Sequence, residues 1–314
     1  METQRINEGL EFLKEGDKAA TKSWFRKPDW DIAGQYYDKA ASCFKAARSY
    51  EKASEAFLKA AEAQFKADSL FMAAKAYESA ASMNIQTKEP ERAAQYYRKA
   101  SDLYNAHGSA DNAAEMLEKG GKALENIDIE QSLELYIASC NLYETEDRGR
   151  FGVDTFRKTI TLLLKHRYFE KAVAMLQKFA DMNKSLGITA NMDKTYLSII
   201  IVLLGMGDDV EANKQYTNFM QGGFGMGDEA YVAQEIIEAF QNFDQEKLSE
   251  AVSNRIVNFL DNEVARIARN LRVPGGGSVA APIPVSVPVD QPNTTSNTTT
   301  VFQPEPIEEE GGLC

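Results

Sequence analysis

The chain has 314 residues and a formal net charge of −12, from 35 basic and 47 acidic side chains. That balance argues against a scaffold held to nucleic acid or to an anionic membrane by bulk charge, while leaving room for a local basic patch. Three cysteines, Cys43, Cys140 and Cys314, are far apart and odd in number, which points to a reducing compartment rather than a disulfide framework.

Residues 1–10 carry no apolar leader core, and no apolar run approaches a membrane span, so a soluble, cytoplasmic chain is expected. Residues 6–23 read as a first helix with Ile6, Leu10, Leu13 and Ala20 on one side. Pro28 ends it, and Asp29 or Asp31 can cap the next helix. Both tryptophans, Trp24 and Trp30, lie in this junction with Phe25 and two basic residues. Two readings stay open. The rings pack beneath the first helix pair, or they form a loop tip that touches a membrane interface.

From Ala33 onward one spacing recurs: a small residue, a large one four later, a small one three after that. It runs Ala33-Tyr37-Ala40, Ala53-Phe57-Ala60, Ala73-Tyr77-Ala80, Ala93-Tyr97-Ala100 and Ala113-Leu117-Gly120 in steps of 20. After one dropped residue it continues as Ser132-Tyr136-Ser139, then in bulkier form from Gly152, Ala172, Met192 and Ala212. Offsets of four and seven fall on one helix face, so each large residue is a plug flanked by two notches. A step of 20 is one helix and a turn, and about 40 residues make an antiparallel pair that must stack on its neighbours. The aromatic series Tyr37, Phe57, Tyr77, Tyr97 and Tyr136 is therefore core spacing. Nothing alternates with period two, so no strands are expected.

Between Asp147 and Lys171 the charge balance inverts: Arg148, Arg150, Arg157, Lys158, Lys165, Arg167 and Lys171 face only three acidic residues. This is either a solvated helix face or a positive stripe for an acidic partner. Residues 192–204 are the most apolar and should be buried on more than one side. The glycine-rich stretch 222–227 follows no strand and reads as a flexible connector, not a dinucleotide loop. Residues 228–243 and 244–271 are further helices that leave the register and form a capping bundle. Seven of nine prolines then lie between Pro274 and Pro306, in a stretch rich in Ser, Thr and Val that reads as a disordered linker. The chain closes on Glu308, Glu309, Glu310, two glycines, Leu313 and Cys314.

Catalytic chemistry finds no support. Two histidines lie in different repeats, no Cys/His cluster has metal-ligand spacing, and neither a nucleophile elbow nor a phosphate loop is present. The expectation is a protein with no catalytic residues, cofactor or metal.

The stack alone resembles tetratricopeptide repeats with long helices. Ile6-Asn7-Glu8-Gly9-Leu10, Lys27-Pro28-Asp29-Trp30-Asp31, Val273-Pro274-Gly275-Gly276-Gly277 and the terminal Gly311-Gly312-Leu313-Cys314, in that order, resemble the gamma branch of the soluble NSF attachment protein (SNAP) family. The resemblance covers roughly residues 5–277 and the last few. It implies an adaptor that binds assembled SNARE four-helix bundles, recruits the hexameric ATPase NSF and stimulates disassembly after membrane fusion, without hydrolysing anything itself. It implies that Leu313 stimulates the ATPase and that Glu308, Glu309 and Glu310 face it. It also implies that Trp24, Phe25 and Trp30 form a membrane loop, in a cytoplasmic protein peripherally associated with membranes. Arg148, Arg150, Arg157, Lys158, Lys165 and Arg167 are the candidates for the SNARE surface.

The expected architecture is all-α: a tetratricopeptide-like α-solenoid over 1–227, a capping bundle over 228–272 and a Pro/Thr-rich tail over 273–314. A generic repeat scaffold for another trafficking or cytoskeletal partner is the alternative.

Overall fold

A computed structural model describes residues 1–22, 27–146, 148–224 and 227–275. Among them there are fifteen helices and no strand. The regular series is α1 (Glu2–Ala20), α2 (Trp30–Ala46), α3 (Tyr50–Lys66), α4 (Leu70–Gln86), α5 (Pro90–Ala106), α6 (Ala110–Leu124) and α7 (Ile129–Thr145). It continues through α8 (Gly149–Lys165), α9 (Phe169–Ser185), α10 (Thr189–Met206) and α11 (Asp209–Gln221). Then come α12 (Asp228–Gln241), α13 (Gln245–Val252), α14 (Arg255–Asn258) and α15 (Asn262–Arg269). Each of the first eleven packs antiparallel on the next, and odd- and even-numbered helices form two layers. This is the all-α solenoid the spacing predicts.

The joints repeat as strictly as the helices. Arg48, Asp68, Lys88 and Gly108 adopt left-handed backbone, and so do Arg167, Gly187 and Gly207. The N–H of the following residue, at 49, 69, 89 and 109, returns to the carbonyl of residue 44, 64, 84 or 104 at 2.8–2.9 Å. This 6→1 bond closes one helix, and the carbonyl of the same residue accepts the first bond of the next, as in Ala53 N–H to Ser49 at 2.9 Å. One residue thus serves two helices, which leaves room for joints of only three residues and fixes the stride.

Plugs and notches meet as the spacing requires. Tyr37, Phe57, Tyr97 and Tyr136 are buried, and so are the alanines that flank them at 33, 40, 53, 60, 93 and 100. Burying one such ring contributes about 2–3 kcal/mol. The first helix carries an unanticipated copy of the triplet in Gly9, Leu13 and Gly16. A methyl group on Gly16 would stand 2.6 Å from the Tyr37 ring, so that position admits only hydrogen. Gly152 plays the same part against Tyr143, at 2.9 Å.

Four expectations are corrected. The first helix begins at Glu2 and ends at Ala20, and Leu10, placed on its inner side, is exposed because Gly9 and Gly16 form the seam instead. Tyr77 is only half-buried, since the layer above it is open between α3 and α5. Phe224, placed in a flexible connector, is 1 % exposed and packs on Tyr196 and Phe219 with ring centres 5.5 and 6.4 Å away.

The core changes character along the chain. Around α2–α6 the seams are mostly alanine with one ring per repeat. From Leu133 to Val273 a single cluster of large aliphatic and aromatic side chains runs through α7–α15. α10 is its axis: Leu197 and Ile199–Leu204 are all buried, with α9 and α11 beside it and α12 and α15 packed across it.

Candidate functional site

The sixth residue after each repeat start is a lysine in six of ten copies: Lys39, Lys59, Lys99, Lys119, Lys158 and Lys178. Motif searching for catalytic groups passes over this row, because its meaning lies in what each lysine reaches. Lys59 of α3 meets Asp17 of α1 at 2.9 Å, and the Tyr37 hydroxyl of α2 donates to the same carboxylate at 2.8 Å. Lys119 of α6 meets Glu78 of α4 at 2.7 Å, with Tyr104 of α5 donating at 3.3 Å. Lys158 of α8 meets Glu125 at the end of α6 at 2.5 Å, and Tyr136 of α7 donates to the same Glu125 oxygen. Lys178 of α9 reaches Glu144 of α7 at 2.7 Å.

In three of these clasps a carboxylate, a tyrosine and a lysine tie together three consecutive helices. Burial alone would raise the Asp17 and Glu125 carboxyls. The hydrogen bonds from Lys59 and Tyr37, and from Lys158 and Tyr136, outweigh it and hold both below their usual range. Burial, and then Glu78, push the Tyr104 hydroxyl up to about 12. The tyrosines therefore stay protonated donors, which is a structural role and not a catalytic one.

Two residues of the basic stripe are engaged by carboxylates of α6 and its C-terminal end. Arg148 is drawn to Asp111 of α6 at 3.6 Å, and Lys158 is held by Glu125 and Tyr136. Arg157 stands 4.0 Å from the exposed Asp154 and reaches Asn191 of α10 at 3.5 Å. It lines a cleft of about 310 Å³ with Lys194, Ser198 and Phe259, where α14 and α15 return over α8 and α10. Arg150, Lys165 and Arg167 are exposed, and among the described residues none has a carboxylate within 4 Å. Arg150 and Lys165 stand at opposite ends of α8, some 22 Å apart at about 1.5 Å per residue. The structure thus leaves Arg150, Arg157, Lys165, Arg167 and Lys171 as the outward charges and adds the half-buried Lys194.

Trp30 is the first residue of α2 and is half-buried, with the Lys66 ammonium 4.4 Å from its ring centre. Its ring packs against the cluster that holds Tyr37 and Ala60. Trp24, Phe25, Glu308, Glu309, Glu310 and Leu313 lie outside the described residues. Among the described residues no group of three His, Cys, Asp or Glu side chains could hold a metal ion. No helix among them is long and apolar enough to cross a membrane.

These features describe a repeat stack with a charged exterior and a packed interior. The family model for soluble NSF attachment protein, SNAP, matches residues 7–255. The gamma-soluble NSF attachment protein of Dictyostelium discoideum is 37% identical over 268 residues, covering 85% of this chain and 83% of the relative. That of Arabidopsis thaliana is 30% identical over 268 residues, covering 85% and 91%. The match begins in the first helix and runs through the stack to the start of α14, and the chain belongs to the soluble NSF attachment protein family.

Proposed function

We propose that this chain binds along assembled SNARE bundles and couples them to the NSF ATPase, acting as an adaptor with no catalysis of its own. As a SNAP family member it is an adaptor of SNARE- and NSF-related vesicle traffic. The observation that carries the reading is the family match across residues 7–255.

The geometry supplies a physical account of how such an adaptor works. A stack of long helices presents a continuous face that needs no sequence-reading pocket. Clasps spanning three helices keep that face at a fixed twist, so little ordering is required on binding. Arg150, Arg157, Lys165 and Lys194 supply positive charge toward a largely acidic rod, which sets orientation and encounter rate more than affinity. Several such adaptors around one rod gain by multivalency.

In this reading residues 1–227 form the handle and 228–272 cap it. Residues 273–314 carry the motif that engages the ATPase, with Leu313 stimulating it and Glu308, Glu309 and Glu310 attracting it. Trp24 and Phe25 bring the cytoplasmic protein to the membrane surface.

The test uses the full chain with a purified SNARE complex and NSF. The wild-type chain bridges the two and stimulates ATP hydrolysis, whereas Leu313→Ala bridges them without stimulation. Failure of the wild-type chain to bridge would remove the adaptor reading. Full stimulation by Leu313→Ala would remove only the terminal motif.

A further inference from the structure

Lys39 sits on α2, which has no helix two places earlier, and its ammonium lies over the Phe12 and Tyr36 rings. Of the other five members of the lysine row, one is irregular. Lys59, Lys119, Lys158 and Lys178 each find a carboxylate on the helix two places earlier. Lys99 of α5 does not: among the described residues no carboxylate lies within 4 Å of it. The reason is legible in the repeat. Twelve residues after the repeat start, α6 carries Glu125 and α7 carries Glu144, the two carboxylates that hold Lys158 and Lys178. At the same place α3 carries Phe65. The Lys99 ammonium instead lies 5.6 Å from the Tyr77 ring centre and 5.9 Å from that of Tyr96.

The consequence is a gap in the odd-numbered layer. Between α3 and α5 a groove of about 310 Å³ opens over α4, with Phe65, Tyr77 and Leu103 as its apolar surface and Lys66 and Lys99 beside them. Phe65 is 57% exposed, and Tyr77 is the half-buried member of an otherwise buried aromatic series. Other phenylalanines are as exposed, so what distinguishes Phe65 is that it stands where two other repeats put a glutamate and lines one groove with Tyr77 and Leu103. Glu62 and Asp102 balance the two lysines, so the groove does not favour an anionic membrane or a nucleic acid. Its length along two parallel helices and its narrow floor suit one or two side chains of a helix laid between them.

We propose that this groove docks an amphipathic helix of a partner protein that places an aromatic or aliphatic residue on Phe65, Tyr77 and Leu103 and a carboxylate on Lys99. The partner supplies from outside the carboxylate that α3 lacks. The site is in the odd-numbered layer, whereas Arg150, Arg157 and Lys165 belong to α8 of the even-numbered layer. The two surfaces are separate, and this inference does not depend on the SNARE reading.

The test uses the full chain and two fluorescent, stapled 14-residue helical peptides. One carries a tryptophan with a glutamate four residues on, and its twin carries lysine in place of that glutamate. The glutamate peptide binds about fivefold more tightly than its twin, the range of one partly exposed charge pair. Lys99→Met removes that preference and keeps the tryptophan-dependent part. Phe65→Glu weakens the glutamate peptide by at least about tenfold, as loss of an interface anchor does. It also leaves the melting temperature unchanged or raised, because it restores the internal clamp. Equal affinity of the two peptides, absence of binding, or undiminished binding to Phe65→Glu would each overturn the proposal. So would a fall in the melting temperature of Phe65→Glu.

Discussion

Lys158 of α8 donates to the Tyr136 hydroxyl of α7 at 2.6 Å, and the same ammonium stands 4.7 Å from the centre of that ring. With Glu125 on its other side at 2.5 Å, this lysine is part of the scaffold. Charge reversal in the stripe must therefore separate two effects. Lys158→Glu sets two carboxylates against each other and costs about 1–2 kcal/mol of stability, read from urea unfolding. The triple variant Arg150→Glu, Arg157→Glu, Lys165→Glu stays within about 0.5 kcal/mol of wild type. That triple variant weakens SNARE binding and flattens its salt dependence. Unchanged binding across a salt series would show that this face is only solvated.

The clasps also set how the stack responds to acid. Asp17 and Glu125 sit below their usual range when folded, so each contributes stability that is present above its unfolded pKa. That contribution is lost as pH falls through the lower, folded value, so the loss begins below about pH 4. Urea midpoints measured from pH 7 to pH 3 should fall steeply at the acid end for wild type. The fall should be shallower for the double variant Asp17→Asn, Glu125→Gln. Parallel curves would mean that the clasps carry no linkage.

The joints offer a stabilising change. Lys88 holds φ at 62°, a region where a side chain costs about 1–2 kcal/mol and glycine none. Gly108 occupies the equivalent place one repeat later, at φ 86°. Lys88→Gly should gain about 0.5–1 kcal/mol after the extra freedom of glycine in the unfolded chain is offset. A melting temperature that falls would show that the lysine side chain makes a contact worth more than the strain.

What the sequence reveals divides along physical lines. The triplets are legible because residues four and seven apart are joined by local geometry, so Tyr97 and Tyr136 are buried where the spacing puts them. The triplet of Gly9, Leu13 and Gly16 escapes notice because glycines replace alanines and its step to Ala33 is 24 rather than 20. The clasps are hidden for another reason. Asp17 and Lys59 are 42 residues apart, and only the two-layer stacking brings them together. The stripe is legible as a run of charge, but its partners are not, because charges adjacent in sequence need not share them: Arg148 turns to α6, and Arg157 turns toward α10. The exposure of Phe65 depends on an absence in α3 that shows only when the repeats are aligned.

The same alignment explains the one unpartnered buried polar atom found among the described side chains. Asn84 and Asn183 hold equivalent places near the ends of α4 and α9, eleven residues after their repeat starts. The Asn84 Oδ1 accepts from Ser54 of α3 at 2.5 Å. The Asn183 side chain donates to the Phe179 carbonyl at 2.8 Å, but its Oδ1 has no donor. The residue corresponding to Ser54 is Val153 of α8, which has none to offer. A buried acceptor left empty costs about 1–3 kcal/mol. Two repairs follow from the register. Val153→Ser supplies the missing donor, and Asn183→Leu installs the residue that α8 and α10 already carry there as Leu163 and Leu203. Each should raise stability by about 1 kcal/mol, read as the shift in urea midpoint at constant slope. The two should not add, because either one removes the same unpaired oxygen. Full additivity in the double variant would mean that the orphaned oxygen is not the source of either gain.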